Sequence, residues 1–315
     1  MTDRHVAVTG AAGFIGRWVV HELLGRGDTV VGLDNFSNGS RRNIDAFADD
    51  PSFSFVEGDV RDESVIDSLF QGNFDACLHL AAEIDVQESL EDPESHFETN
   101  VIGTEHVLEA CRRTDTRLGL VGTCMVYDMA DSESGIDEEH SVEPASPYAA
   151  TKLAGEKLAE GYYHGYGLPV TTLRPFNTYG PFQKTGMAGG VVSIFTDRDL
   201  RGEPLKIFGD GTQTRDLLYV TDCARFIVDG TFHDDAIGEV INAGTGTDVS
   251  INELADVIAS DGTEITHVKH HHPQSEVQKL LCDPGKAEEL LGWKSEVSLE
   301  DGVSKLRTCM KERSD

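Results

Sequence analysis

Three glycines spaced three apart, Gly10, Gly13 and Gly16, follow directly on the short apolar run Val6-Ala-Val-Thr9. They open a segment, Phe14 to Leu24, whose apolar residues recur at helical spacing. This order of strand, glycine turn and helix leaves few folds open. One glycine permits a tight turn, one lets backbone approach a pyrophosphate, and one lets helix pack on strand. The helix start then points unpaired N–H groups at the phosphates. A second apolar run, Thr29 to Asp34, ends on a carboxylate 18 positions beyond Gly16. A carboxylate there accepts hydrogen bonds from an adenosine ribose diol and repels a 2′-phosphate, which favours NAD over NADP. The alternative is a glycine-rich turn without a ligand.

The alternation continues. Phe53 to Glu57, Ala76 to Leu80, Leu118 to Gly122 and Val170 to Pro175 read as further buried strands, with helical stretches around 62–70, 94–113 and 147–165. The pattern predicts an α/β fold, a Rossmann-type doubly wound parallel sheet covered on both faces. After Pro175, Gly180-Pro181, Gly189-Gly190 and Gly209-Asp210-Gly211 punctuate shorter elements. Leu217 to Val220 and Glu239 to Asn242 look like strands returning to the first lobe. The expected division is a dinucleotide-binding domain over 1–175 with 216–245 returning to it. Residues 176–215 and 246–315 then form a smaller, discontinuous C-terminal substrate lobe, with a ligand cleft between.

Tyr148-Ala-Ala-Thr-Lys152 places a phenol and an ammonium one turn apart on one helix face. A phenol titrates near pH 10, and a neighbouring ammonium plus a nicotinamide cation would lower that enough for base catalysis. The plainer alternative is an exposed aromatic beside a surface lysine.

Charge narrows the partners. The 315 residues carry 56 Asp plus Glu against 26 Lys plus Arg, a formal charge of -30 spread along the whole chain. Such a field repels phosphate backbones and anionic lipid, so nucleic acid and membranes are not expected partners. Abundant carboxylates with only 10 Lys beside 16 Arg resemble proteins of salt-accumulating microbes, the alternative being an acidic mesophilic enzyme. No apolar run of about 18 residues is present, and the N-terminus lacks a signal-peptide pattern. The six cysteines form no CxxC pair and read as free thiols of a reducing cytoplasm. His267, His270, His271 and His272 have no second cluster of ligand residues beside them, so no metal is expected.

An ordered set of motifs now accumulates: Gly10 to Gly16, His79-Leu80-Ala81-Ala82, Asn100 with Gly103-Thr104, Thr123 ahead of Val126-Tyr127, Tyr148 with Lys152, and Arg174-Pro-Phe-Asn177. It resembles the extended short-chain dehydrogenase/reductase family, in its nucleotide-sugar epimerase and dehydratase branch, over nearly the whole chain. The resemblance implies a cofactor site of Gly10, Gly13, Phe14, Ile15, Gly16, Asp34 and Asn35, with Asp59 and Val60 at the adenine. Leu80, Ala81 and Ala82 would line the dinucleotide, and Asn100 would support the active-site helix from within that site. Thr123, Tyr148 and Lys152 would be catalytic, Tyr148 and Lys152 belonging to the cofactor site as well. Val86, Thr123, Asn177, Arg215 and Glu276 would hold the substrate, Asn177 and Arg215 at its diphosphate. Two plainer alternatives are that Asn100 is only a helix-region polar residue and Asn177 only a turn former. The resemblance further implies a homodimer through a four-helix bundle near 95–112 and 148–164, with Val101, Val107, Leu108, Leu153 and Leu158 at compatible positions; the alternative is that the same residues serve a monomer core.

Within the branch, dehydratases carry an Asp-Glu pair after the catalytic Thr, and sugar-acid decarboxylases keep a Glu two positions after it. Here those positions are Cys124 and Met125. Their absence points to an NAD-dependent 4-epimerase of the UDP-glucose/UDP-galactose type, working through a transient 4-keto sugar. The alternatives are a nucleotide-sugar 4,6-dehydratase or related enzyme, and a non-catalytic NAD-binding regulator, against which Thr123, Tyr148 and Lys152 argue. Pro273 stands where the family usually has an Arg three residues before the acidic position Glu276, with His271 or His272 as possible substitutes. By the same resemblance Leu280 falls at a position that in related epimerases gates bulky N-acetyl groups, and Leu is neither the small nor the aromatic version.

Overall fold

The computed structural model describes residues 3–128, 135–185, 189–269 and 278–314. Along the chain the strands are β1 (His5–Thr9), β2 (Thr29–Asp34), β3 (Phe53–Glu57), β4 (Ala76–His79), β5 (Arg117–Val121), β6 (Val170–Pro175) and β7 (Asn177–Tyr179). They continue as β8 (Leu205–Phe208), β9 (Thr214–Tyr219), β10 (Val240–Ala243), β11 (Asp248–Ser250), β12 (Ile265–Val268) and β13 (Lys279–Leu280). The helices are α1 (Phe14–Gly25), α2 (Glu63–Leu69), α3 (Val86–Glu91), α4 (Pro93–Phe97), α5 (Gly103–Thr114) and α6 (Pro147–Tyr166). After them come α7 (Val191–Leu200), α8 (Val220–Phe232), α9 (Ile251–Ile258), α10 (Gly285–Leu291) and α11 (Leu299–Ser314).

Among the described residues, seven strands make one sheet in the order β10-β6-β5-β4-β1-β2-β3, and every pairing in it is parallel. This is the Rossmann-type fold that the alternating pattern predicts. Parallel strands buried on both faces need apolar residues throughout, and β4 and β6 are buried at every position. One face is covered by α1, α8 and α10, whose Val19, Leu23, Phe226 and Ala287 share a core. The other is covered by α2, α5 and α6 through Ile66, Leu108 and Ala159. Strand order reverses between β1 and β4, the place where such sheets open a crevice at their carboxyl ends.

The smaller lobe holds β11-β9-β13 with β7 also on β9, and a separate pair β12-β8. Its core joins Tyr179, Phe195, Ile207, Leu254 and Leu306.

Two sequence expectations are corrected here. Leu217 to Tyr219 belong to β9 of the smaller sheet, and Val220 begins α8, so that run does not return to the main sheet. An apolar run says that a strand is buried, not which sheet it joins; the register with Asn177–Tyr179 decides that. The helical stretch around 94–113 is interrupted by a π-helical turn over Glu98–Ile102, which apolar periodicity does not reveal. Finally, Val101, Val107 and Leu108 are buried within the single chain. The apolar side chains left exposed on that side are Leu90, Phe97, Ile102 and Tyr166.

Candidate active site

The crevice between β1 and β4 extends toward the smaller lobe as one cleft of about 1460 Å³. That exceeds the volume of a site for one drug-sized ligand, roughly 300–1,000 Å³. The glycine turn forms its floor. Gly10 has φ +71, and a Cβ on it would lie 2.8 Å from the Ala81 nitrogen. A Cβ on Gly16 would lie 2.0 Å from the Gly10 carbonyl oxygen. Both positions therefore need glycine. Gly13 caps α1 without a side chain, so the first-turn N–H groups stay available to an anion.

Asp34 ends β2 beside this turn, buried. Its carboxylate accepts from the Ala12 N–H at 3.0 Å and the Phe36 N–H at 2.7 Å. Burial raises its pKa, and those backbone donors oppose the rise. Asp59 accepts from Asn35 Nδ2 at 2.8 Å and Arg61 Nη2 at 2.7 Å. Partial burial opposes its charge, but the Arg61 and Asn35 hydrogen bonds prevail and hold it at about 2. His79 bridges Thr9 Oγ1 at 2.6 Å and Thr104 Oγ1 at 3.1 Å. Full burial, with the Lys152 charge nearby, pushes the imidazole down to about 3, so it stays neutral.

Local signals place the second half of the site. Ser146 caps α6, its hydroxyl accepting from the Ala149 N–H at 3.2 Å, and Pro147 occupies the first turn. This fixes Tyr148 and Lys152 on successive turns facing the cleft. Lys152 Nζ donates to the Val121 carbonyl at 2.7 Å. Burial lowers its pKa to about 8, against the upward pull of Glu156. Burial pushes the Tyr148 phenol up to about 12, opposed by its hydrogen bond with Thr123. Thr123 follows β5 and accepts from the Met125 N–H at 3.2 Å.

Of the site residues expected from sequence, Gly10, Gly13, Phe14, Ile15, Gly16, Asp34, Asn35, Asp59, Val60, Leu80, Ala81, Ala82, Val86, Thr123, Tyr148, Lys152, Asn177 and Arg215 all line this one cleft. Among the described residues Asn177 Nδ2 is buried there without a hydrogen-bond partner. Asn100 stands behind the wall. Its amide accepts from the Glu83 N–H at 2.9 Å and donates to the Glu83 carbonyl at 2.9 Å and Thr151 Oγ1 at 3.0 Å. It therefore holds the turn after β4 against α6. Leu280 packs with Cys124 and Tyr127 in a cluster behind the cleft. Glu276, Pro273, His270, His271 and His272 lie outside the described residues, while His267 meets Asn252 Oδ1 at 3.0 Å.

Several cleft residues carry no local sequence signal. Asn38 and Lys184 meet at 3.2 Å across 146 positions, and α11 contributes Cys309, Met310 and Arg313. Arg313 and Arg17 lie over the Phe182 ring, with guanidinium carbons 4.5 and 3.7 Å from its centroid. Only the packing of α11 on α7 and β9 brings Arg313 to the Phe182 ring that Arg17 also faces.

A profile of the GDP-mannose 4,6 dehydratase family matches residues 7–306. The chain belongs to that family. It is a member of the extended short-chain dehydrogenase/reductase branch of nucleotide-sugar epimerases and dehydratases that its motifs resemble. Pal from Bacillus thuringiensis is similar at 50% identity and a TM-score of 0.95, over 98% of this chain and 99% of that one. A UDP-glucose 4-epimerase of Mycolicibacterium smegmatis is 36% identical over 95% of this chain and 96% of its own length. A Streptomyces venezuelae dTDP-glucose 4,6-dehydratase solved with NAD is 31% identical, with a TM-score of 0.90 over 98% and 97% of the two chains. The family thus contains both epimerases and dehydratases.

Proposed function

We propose that this member is an NAD-dependent nucleotide-sugar 4-epimerase of the UDP-glucose/UDP-galactose type. The enzyme acts on nucleotide sugars and its cofactor is NAD. The residues fit that cofactor: a cradle that any Cβ at Gly10 or Gly16 would fill, α1 N–H groups for the pyrophosphate, and Asp34 for the adenosine ribose. When bound, NAD would supply the hydride acceptor and donor for sugar C4. Tyr148 takes the proton of the C4 hydroxyl and gives it back, while Thr123 holds that hydroxyl in line. Lys152, charged and one turn away, favours the phenolate. Asn177 Nδ2 and Arg215 hold the diphosphate.

The observation that carries the reading is what stands beside Thr123. Elimination of water needs a carboxylate there. The chain has instead the Cys124 thiol, which burial pushes up to about 12, and the thioether of Met125, which carries no proton. Removal and return of the C4 hydride needs neither. Incubation with UDP-glucose, UDP-galactose and dTDP-glucose tests this. The expected result is interconversion of the UDP-hexoses; a 4-keto-6-deoxy product absorbing in alkali would replace the reading with a dehydratase. Among the described residues no helix is long and apolar enough to cross a membrane. With five of its six cysteines buried as free thiols, the enzyme works in the cytoplasm.

A further inference from the structure

Behind the catalytic helix lies a buried ion pair that the reaction above leaves unused. Glu156 stands four residues after Lys152 on α6 and is 4% exposed. Arg174, also 4% exposed, donates to it from Nη2 at 2.5 Å and from Nε at 3.1 and 3.2 Å. The guanidinium lies over the Tyr127 ring, 4.8 Å from its centroid, and the Tyr127 hydroxyl donates to Asn242 Oδ1 at 2.8 Å. A Cβ on Gly122 would fall 2.2 Å from Glu156 Oε1. The carboxylate therefore presses on the one residue between Val121, whose carbonyl receives Lys152, and Thr123. Arg174 in turn lies three positions before Asn177 on the same run of chain. A buried pair of this kind contributes little net stability compared with an apolar pair, so a further use for it is worth seeking.

We propose that Glu156, clamped by Arg174, is a positioning residue that fixes the Gly122–Thr123 backbone against Tyr148 and places a negative charge one helical turn from Lys152. The proposal rests on the assignment of Thr123, Tyr148 and Lys152 as the reacting set. The titratable groups around that set are Tyr148 and Glu156 on α6, His79 from β4, Cys124 after β5, and Arg174 from β6 behind Glu156. His79 is held neutral at about 3 and Cys124 protonated to about 12, so neither changes charge between those limits. The Glu156 carboxylate raises the pKa of both Lys152 and Tyr148. Removing its charge should lower both.

The test uses the NAD-loaded enzyme and Glu156→Gln, which preserves shape and deletes charge. Both limbs of the pH–rate profile are expected to move to lower pH by about one unit, the usual effect of one close charge. Ultraviolet titration of the Tyr148 phenolate, against a Tyr148→Phe background, should move the same way. That titration needs no substrate, so it separates this proposal from the choice of reaction. Glu156→Asp keeps the charge but withdraws the contact with Gly122; its limbs should stay in place while turnover falls about tenfold or more. Because Gln would leave Arg174 unpaired, the double variant Glu156→Gln/Arg174→Gln provides a neutral amide pair; it removes the anion and also the cation behind it, so its limbs should move the same way by less than in the single variant. Unmoved limbs and an unmoved Tyr148 titration in folded Glu156→Gln, or undiminished turnover in Glu156→Asp, would overturn the proposal, leaving a purely structural pair.

Discussion

Tyr148 illustrates how burial shapes a side chain's chemistry. Burial alone would hold the phenol protonated at about 12, so its work as a base depends on cationic neighbours. Lys152 is the neighbour the chain supplies, and its ammonium keeps its proton up to about pH 8. Tyr148→Phe should retain bound NAD and lose turnover by about a hundredfold or more, the usual effect of a positioned acid–base group. Near wild-type rates in that variant would remove Tyr148 from the mechanism. At the other end of the cleft, Gly16→Ala forces a methyl to within 2.0 Å of the Gly10 carbonyl. The expected cost is about 1–3 kcal/mol of stability from overpacking, together with weakened NAD binding, both readable from thermal melts with and without the cofactor. Cys124 and Met125 belong to the same scale: two side chains beside Thr123 separate the epimerase reading from the dehydratase reading.

The elements deliver those side chains to one place. β5 ends at Val121 and presents Thr123; α6 starts at a Ser-Pro signal and presents Tyr148 and Lys152; β4 ends under His79 and leads into the Leu80–Ala82 wall. The π-helical turn of Glu98–Ile102 widens the helix where Asn100 must reach both Glu83 and Thr151. Asn100→Ala leaves the Glu83 peptide and Thr151 without these partners, with an expected cost of about 1–3 kcal/mol from lost buried hydrogen bonds. Because the Glu83 turn adjoins the dinucleotide wall, the affinity for NAD should fall as well. Isothermal titration showing unchanged NAD binding in a folded Asn100→Ala protein would separate the turn from the cofactor site.

At the scale of the whole molecule, two properties follow from the surface. Leu90, Phe97, Ile102 and Tyr166 are 57%, 50%, 38% and 65% exposed on α3, α4, the π-helical turn and α6. Isolated apolar residues are ordinary on a surface, and these four lie on elements that pack against one another. The expected state is a homodimer through this side, and light scattering that gave a single 34.3 kDa particle would refute it. The net charge of -30 sets the second property. At 0.1 M salt the screening length is about 10 Å and carboxylates still repel one another, whereas near 1 M it is about 3 Å. Melting temperature and activity are both expected to rise between roughly 0.1 and 2 M KCl as this repulsion is screened. A flat or falling melting temperature would leave an acidic enzyme without salt adaptation.

The sequence by itself determined the parallel sheet, the glycine cradle with Asp34, and the pairing of Tyr148 with Lys152. These are local facts, written in the spacing of apolar residues, in turn chemistry and in helix caps. It also determined the missing carboxylates after Thr123, since that reading needs only residue identity at a known offset. Tertiary structure alone decided that Leu217–Tyr219 join the smaller sheet and that Asn100 reaches both the Glu83 peptide and Thr151. It alone placed Glu156 against Arg174 and Gly122, and Lys184 beside Asn38. The physical reason is common to all of these. Each depends on which buried groups meet across the fold, and a polar group chooses its partner from whatever packing brings within hydrogen-bond reach, a choice that no periodicity along the chain records.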